Sequence, residues 1–485
     1  MGQEIDASGF SDADFARFRD RLALETASLR DRFVGGALSQ AGPLIGFELE
    51  AWLVDRHCFP APHNQSFLAR LADPLVVAEL SRFNIEVNGT PQPLAGDGLW
   101  RLEQELAETW GRCVGAAHDE VDTVVAIGTL PTLRESDLCL ANLTPSNRYA
   151  ALNREVLKAR GGRPLDIAID STAPGGHGLR STHDDLMLEA ATTSFQLHLQ
   201  IPPDRIAAYL NASAMLAAPL IALSANSPFL FGRQLWHETR IPLFEQALGD
   251  EPGHVQRGAI RRVTFGDRYA DDDPTVLFAE NLELFRLLLP VLDEEPGDRF
   301  ACLRLHNGTI WRWNRLLVGF DLDEGGEAGG ALPHLRIENR VMPAGPSVID
   351  MLANAAFWFG AVHALARVSR QAEEALPHAT ARAGFYAAAR DGLDAEIGWL
   401  DGRLWPVTKV IEALIPVARD GLLEQGVGEE LAERYLDVVA TRVAARRNGA
   451  AWQIAHHRRH GDLFRLTAEY LEHQRSGMAV HEWPL

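Results

Sequence analysis

Four short segments place polar or ionisable side chains at every second position. In GFELEAWL, Glu48 and Glu50 alternate with Phe47, Leu49 and Ala51. In FNIEVNG, Asn84, Glu86 and Asn88 alternate with Phe83, Ile85 and Val87. In SFQLHLQI, Gln196, His198 and Gln200 oppose Phe195, Leu197, Leu199 and Ile201. In LRIENRV, Arg336, Glu338 and Arg340 lie together against Leu335, Ile337 and Val341, and Asn339 breaks the alternation. Each segment therefore reads as a strand with one apolar and one chemical face. A single polar face describes any antiparallel sheet packed on one side. These faces differ in holding almost no Thr or Lys; they carry carboxylates, amides, one imidazole and paired guanidiniums. Carboxylates two residues apart on a strand sit roughly 6–7 Å apart, and at an effective dielectric near 20 each ionised pair repels by about 2.5 kcal/mol. A cation between them reverses that penalty. Glu48, Glu50, Glu86 and Glu338 with His198 form a mostly hard-oxygen donor set, suited to Mg²⁺ or Mn²⁺ rather than zinc.

The elements that must position these faces follow from periodicity. Helical spacing covers 11–33, with Ser11 as N-cap, then 66–82, 99–119, 146–160 and 204–225. Strands are expected at 44–54, 83–88, 121–127, 164–170, 193–201, 300–305, 309–318 and 332–341. Residues 250–276 are polar and irregular. From 346 onward nearly everything reads as helix: 346–370, 378–400, 406–425, 428–446 and 461–475. The stretches 293–298 and 321–330 are acidic, Gly-containing loops. No linker or internal repeat stands out, so the pattern describes one intertwined α+β body with a helical C-terminal part.

Composition removes several function classes. The 485 residues are 46% hydrophobic, enough for a sizeable core. The 46 Lys and Arg stand against 66 Asp and Glu, a formal charge of −20. That balance argues against general affinity for nucleic acid or anionic membranes. Only Lys158 and Lys409 occur, and neither follows a Gly-rich run, which excludes a P-loop. Cys58, Cys113, Cys139 and Cys302 are scattered, with no CxxC, a pattern expected of a reducing cytoplasm. No signal peptide is visible at the start of the chain. The most apolar stretch, Ser213–Phe231, is broken by Pro219, Asn226 and Pro228, which argues against a membrane span. HExxH, GxSxG and GxGxxG are absent, so metalloprotease, α/β-hydrolase and Rossmann readings lose their motifs.

The four strands in this order resemble the glutamate–cysteine ligase family, in its bacterial carboxylate–amine ligase branch. The likeness starts at GFELEAWLV and passes through FNIEVNGTP, SFQLHLQIP and ALSANSPFLFGR. It resumes at NGTIWRWNRLL and LRIENRVMP, covering roughly 43–370, with an echo at Arg447-Asn448-Gly449-Ala450. The resemblance implies a glutamine-synthetase-like fold: an antiparallel sheet curved into a funnel, with helices on its outer face. It divides the chain into an N-terminal helical segment (1–42), a catalytic domain (43–370) and a helical C-terminal extension packed on it (371–485). It implies ATP-dependent ligation, in which the γ-phosphoryl passes to a carboxylate and an amine attacks the acyl phosphate. Carried over by motif, Glu48, Glu50, Glu86, His198 and Glu338 are metal ligands, with Glu79 a weaker match. Arg340 is the catalytic arginine on the transferred phosphoryl. Arg336 and Asn448 are the nucleotide contacts expected. Gln196 and Arg233 are the expected substrate contacts, with Arg240 sharing the place after SANSPF.

These roles suit phosphoryl transfer, which asks for in-line positioning and charge neutralisation rather than covalent help. A chain of charge −20 can bind ATP through metals set in acids. Other features take blander readings: Trp311 and Trp313 as packing, the His456–His460 run as a solvated helix end, Asp271–Asp273 as a loop. The expected protein is a cytoplasmic, ATP- and Mg²⁺-dependent ligase making γ-glutamylcysteine or a related γ-glutamyl amide. Its partners are small amino acids or amines, not nucleic acid or membrane, and homo-oligomerisation is left open. The rivals are a guanidino-kinase-like phosphotransferase and a noncatalytic ligand-binding relative.

Overall fold

The computed structural model describes residues 5, 9–117, 121–249, 261–292, 299–321 and 332–485. The acidic stretch 293–298 and nearly all of 321–330 lie outside the described residues, as does the beginning of the irregular 250–276 region.

The centre is an eight-stranded sheet. Its strands are β1 (Leu44–Val54), β2 (Val76–Ala78), β3 (Asn84–Asn88), β4 (Gln92–Pro93), β5 (Thr123–Val125), β6 (Phe195–Gln200), β7 (Asn314–Phe320) and β8 (Pro333–Asn339). The order is β7-β8-β6-β1-β3-β2, with β4 and β5 also pairing with β1, and every pairing is antiparallel. The four segments with chemical faces are therefore the adjacent strands β8, β6, β1 and β3. Their apolar faces fill the core: Leu49, Ala51, Ile85, Val87, Leu197, Leu199, Leu335 and Ile337 are fully buried. Trp52 stacks on Phe83 with centroids 5.5 Å apart and donates Nε1–H to the Ile127 carbonyl at 3.0 Å.

The helices used below are α1 (Asp12–Val34), α2 (Ile206–Ser224), α3 (Arg240–Ala247), α4 (Val348–Ala366), α5 (Val407–Glu424), α6 (Glu429–Ala444), α7 (Gly449–His460) and α8 (Leu463–Ser476). α2 packs on the apolar face at β7 and β8 and against α4, which in turn carries α5 and α6. α2 with its short lead-in (Pro203–Ser224) and α4 are long and apolar enough to cross a membrane, but most of that apolar surface is buried inside the protein. α1 begins with a capping box: Ser11 and Asp14 exchange side-chain and backbone hydrogen bonds.

Three expected elements differ. Residues 300–305 lie in a helix (Ala301–Asn307), because Cys302, Leu303 and His306 bury one helical face; so short an apolar run does not distinguish strand from helix. The helix expected over 66–82 is Asn64–Leu71, stopped ahead of Asp73-Pro74, and the chain then enters β2. The helix expected over 378–400 ends at Asp391, where Gly392 takes a φ of +57° and a strand at Glu396–Gly398 follows.

Candidate active site

Antiparallel register turns four separate polar faces into one surface. Glu50 pairs with Glu86 and Glu48 with Gln196; Glu338 pairs with His198, Arg336 with Gln200, and Arg315 of β7 with Glu338. A cavity of about 1600 Å³ opens over this surface, and Glu48, Glu50, Glu86, Gln196, Arg336, Glu338 and Arg340 all line it.

At one end lies an ion-paired cluster. Glu338 accepts from Arg315 Nε at 3.1 Å and Nη2 at 2.8 Å, and from Arg340 Nε at 2.8 Å. Burial raises its pKa, but the two guanidiniums win and hold it down at about 2. Arg340 also donates Nη2–H to Gln196 Oε1 at 2.8 Å, and Gln196 passes its own amide N–H to Glu50 Oε1 at 2.9 Å. His198 Nε2 faces Glu48 Oε1 at 3.3 Å, while Arg336 Nε donates to His198 Nδ1 at 3.1 Å. Burial raises the Glu48 pKa too, and His198 and Arg336 overcome it.

The other end is rich in acids. Burial pushes Glu50 up to about 7 against the pull of Arg340, with Glu86 adding repulsion. Glu86, only 3% exposed, is raised by burial and then by Glu48. Glu79 is raised well above the ordinary range by burial and by Glu86 and Glu50. Glu189, on a 3₁₀ turn at Met187–Ala191, is pushed by burial up to about 7. Arg148 and Tyr149 complete this wall.

The donor chemistry fits a divalent cation. Ligand atoms of Glu48, His198 and Glu338 lie within 4.8 Å of one another, and Glu50 and Glu86 are like charges directly opposed across two strands. One constraint is visible at His198. Its Nδ1 faces the Arg336 Nε–H, which leaves Nε2 as the ring nitrogen toward Glu48. A cation held at Nε2 would require the ring proton on Nδ1, where Arg336 now donates.

Two expected site residues fall elsewhere. Arg233 is exposed on a small hairpin (Phe229–Leu230 with Arg233–Gln234) and does not line the cavity. Asn448, 1% exposed, is the N-cap of α7: its Oδ1 accepts from Ala451 N at 2.9 Å and its Nδ2 donates to the Ala222 carbonyl at 2.8 Å. The position after SANSPF that does reach the cavity is Arg240. It is buried, donating to Glu238 Oε1 at 3.0 Å and to the carbonyls of Arg340 and Val341, so it braces the backbone beside Arg340. Trp313 packs, with Nε1–H on Glu245 at 2.9 Å, whereas Trp311 lines the cavity.

The brace continues outward. Glu238 Oε2 accepts from Asn226 N at 2.8 Å. The Asn226 side chain donates to the Ala344 carbonyl at 2.7 Å and to Tyr470 Oη at 2.8 Å, and accepts from Gln453 Nε2 at 2.8 Å. Tyr470 donates to the Ala126 carbonyl at 2.9 Å, and Gln474 bonds the backbone of Ala126 and Pro346. Thus α7 and α8 hold the SANSPF segment at Asn226, the chain at Ala126 and the loop after Arg340 at Pro346.

The model of glutamate-cysteine ligase family 2 matches residues 44–469. The chain belongs to this family. Among solved structures, the Francisella tularensis glutamate–cysteine ligase in complex with AMP is similar, with a TM-score of 0.56 at 13% identity, covering 91% of this chain and 90% of that one. A bifunctional glutathione synthetase from Pasteurella multocida has a TM-score of 0.55 at 11% identity, covering 93% of this chain but only 54% of that longer one. At such identities these likenesses show the fold. A search of curated proteins gives no match. Family membership makes the chain a carboxylate–amine ligase in the broad sense.

Sequence reasoning passed over Arg315, Glu189, Arg148 and Tyr149. Arg315 carried a signal, since the antiparallel pairing of β7 with β8 sets it opposite Glu338. Glu189 carried none: it sits on an irregular turn with no periodicity to assign it a face.

Proposed function

We propose that this ligase couples ATP hydrolysis to amide formation between a glutamate-type acid and an amine, through an acyl phosphate, with a glutamine-synthetase-like funnel as its working surface. The observation that carries the reading is the juxtaposition of buried acids with the Arg340–Glu338–Arg315 fork on one sheet face.

Glu48, His198 and Glu338 would hold one divalent cation, Mg²⁺ or Mn²⁺, and Glu50 and Glu86, with Glu79, a second. When bound, such ions neutralise phosphate oxygens and align them for in-line transfer. Arg340 supplies a planar, permanently charged fork toward the transferring phosphoryl group. Arg315 keeps Glu338 ionised and oriented whatever Arg340 does. Arg336, which lines the cavity beside His198, would contact the nucleotide phosphates. Gln196 fixes Arg340 relative to Glu50 and presents its amide to the cavity. The incoming amine must lose a proton, and a carboxyl titrating near neutrality is best suited to take it. Glu189, outside the metal-ligand set and pushed up to about 7, is our candidate base.

The test is phosphate and ADP release across a panel of amino acids and amines, with glutamate and its homologues as the acid, and amide product followed by mass spectrometry. Release that requires both acid and amine, with stoichiometric amide, supports the proposal. A phosphorylated product without an amide would instead favour a phosphotransferase. Nucleotide binding without turnover on any pair would favour a noncatalytic relative.

A further inference from the structure

α7 and α8 carry a cluster that the cleft chemistry does not use. His456 and His460 stand four residues apart on α7, so they share one helical face. Gly461 ends the helix with a φ of +67°, and Asp462 caps α8, which folds back against α7. This return brings Glu469 to the histidines: His456 Nε2 and Glu469 Oε2 are 2.8 Å apart, and the two imidazole centroids are 4.6 Å apart. One nitrogen of each ring and a Glu469 oxygen all lie within 4.8 Å of one another.

The donor set differs in kind from that of the cleft. Two imidazoles and one carboxylate match a borderline transition metal of the zinc class, where three protein ligands leave a fourth position open. The surroundings provide what such a site needs. Arg465 Nε donates to Glu469 Oε1 at 2.6 Å, which orients the carboxylate and leaves Oε2 toward the histidines. His456 is fully buried against Trp452, at 5.0 Å between centroids, while His460 and Glu469 are partly exposed and give an entry path. Nδ1 of His456 is buried without a hydrogen-bond partner among the described residues, so of that ring only Nε2, against Glu469, is bonded. Of the neighbouring cations, Arg459 is drawn away to the Leu485 carbonyl and Arg458 is exposed.

We propose that His456, His460 and Glu469 form a zinc-class metal site that staples α7 to α8. The consequence is mechanical. α7 carries Gln453 and α8 carries Tyr470, the two side chains that grip Asn226. An ion joining the helices stiffens that grip without entering the cleft.

The test uses the full chain without an affinity tag, stripped of metal by chelation and titrated with Co²⁺ in millimolar Mg²⁺, which occupies the oxygen-rich cleft. The expected result is one tight equivalent with the visible d–d absorption of four-coordinate Co²⁺, displaced by Zn²⁺, and a higher melting temperature on loading. His460→Ala and Glu469→Gln should each lose that equivalent and its melting shift while keeping the wild-type circular dichroism; Glu86→Gln should keep both. Absence of the equivalent from the wild-type protein overturns the proposal, which needs no variant to fail. So does an equivalent that persists unchanged in either variant. In both cases His456, Glu469 and Arg465 are only a hydrogen-bonded cluster of three.

Discussion

Replacing Arg340 by Lys separates its two conceivable tasks. Arg340 is 8% exposed and spends Nε on Glu338 and Nη2 on Gln196, both at 2.8 Å. If its task were to neutralise Glu338, it would be largely redundant, because Arg315 already grips that carboxylate with two nitrogens. A lysine keeps the charge but offers a single nitrogen, which cannot span Glu338 and Gln196 and still face a phosphoryl group. A donor interaction made mainly in the transition state is worth about 2.7–4 kcal/mol, so Arg340→Lys should lower turnover by roughly a hundred- to a thousandfold. Nucleotide binding should change far less, and melting should barely move, since Glu338 stays paired. Arg340→Ala should lose as much turnover and also some stability, about 1–3 kcal/mol, for leaving Gln196 Oε1 without its buried donor. Phosphate release, nucleotide titration and thermal melting on both variants decide the matter. Near-normal turnover in the lysine variant would refute the reasoning.

Other outcomes follow from the same geometry. Glu86→Gln should fold normally and shift the Mg²⁺ dependence of turnover to higher concentration; an unchanged Mg²⁺ curve would remove Glu86 from the metal site. Glu338→Gln should lose turnover and also stability, because it strips the common counter-charge from Arg315 and Arg340. Glu50 and Glu189 have folded pKa values raised to about 7, so their contribution to stability is complete at acid pH and is lost as pH climbs through 7. Added Mg²⁺ should therefore raise the melting temperature more at pH 8 than at pH 6, and equal shifts would contradict the raised values. Tyr470→Phe removes the hydroxyl shared by Asn226 and Ala126 and should cost about 1–3 kcal/mol by denaturant unfolding, with lowered turnover despite its distance from the cavity. Gly449→Ala would put a methyl group 2.0 Å from Asn226 Oδ1 and should be more damaging still; wild-type stability in that variant would show that the contact yields.

What the sequence disclosed about the site was what period-two alternation can carry. The faces of β1, β3, β6 and β8 were legible because each strand declares its own polar side, and the motif order joined them. Neighbours supplied by other elements were not. Glu189 sits on a 3₁₀ turn, and Arg148 and Tyr149 open a helix whose pattern specifies only which side is apolar. Asn448 has a local structural task that its spacing also allows. An Asn followed by Gly before a helical run is equally a helix N-cap, and that local hydrogen bond is what the structure shows. Arg233 and Arg240 are close in sequence but belong to different elements, Arg233 exposed on a small hairpin and Arg240 buried at the start of α3, where it reaches the cavity. The C-terminal patterns announced helices without saying which loops they would hold, because a buried Asn226–Tyr470 contact leaves no trace in the spacing of either segment.

The brace around Asn226 has a consequence for the order in which the protein is made. All the candidate metal and phosphoryl ligands have left the ribosome once residue 340 has, yet the side chains that steady the loop behind Arg340 come from Gln453, Tyr470 and Gln474. At roughly 5–20 residues per second, the about 130 positions between Pro346 and Gln474 take some 6–26 s to synthesise. Throughout that interval the nascent chain holds a complete inventory of reactive groups on an unsupported loop, with the backbone of Ala126 and Pro346 lacking its eventual partners. Activity should therefore appear late and abruptly in synchronised translation, well after the sheet residues have emerged. The same interval is when the growing polypeptide most needs a chaperone.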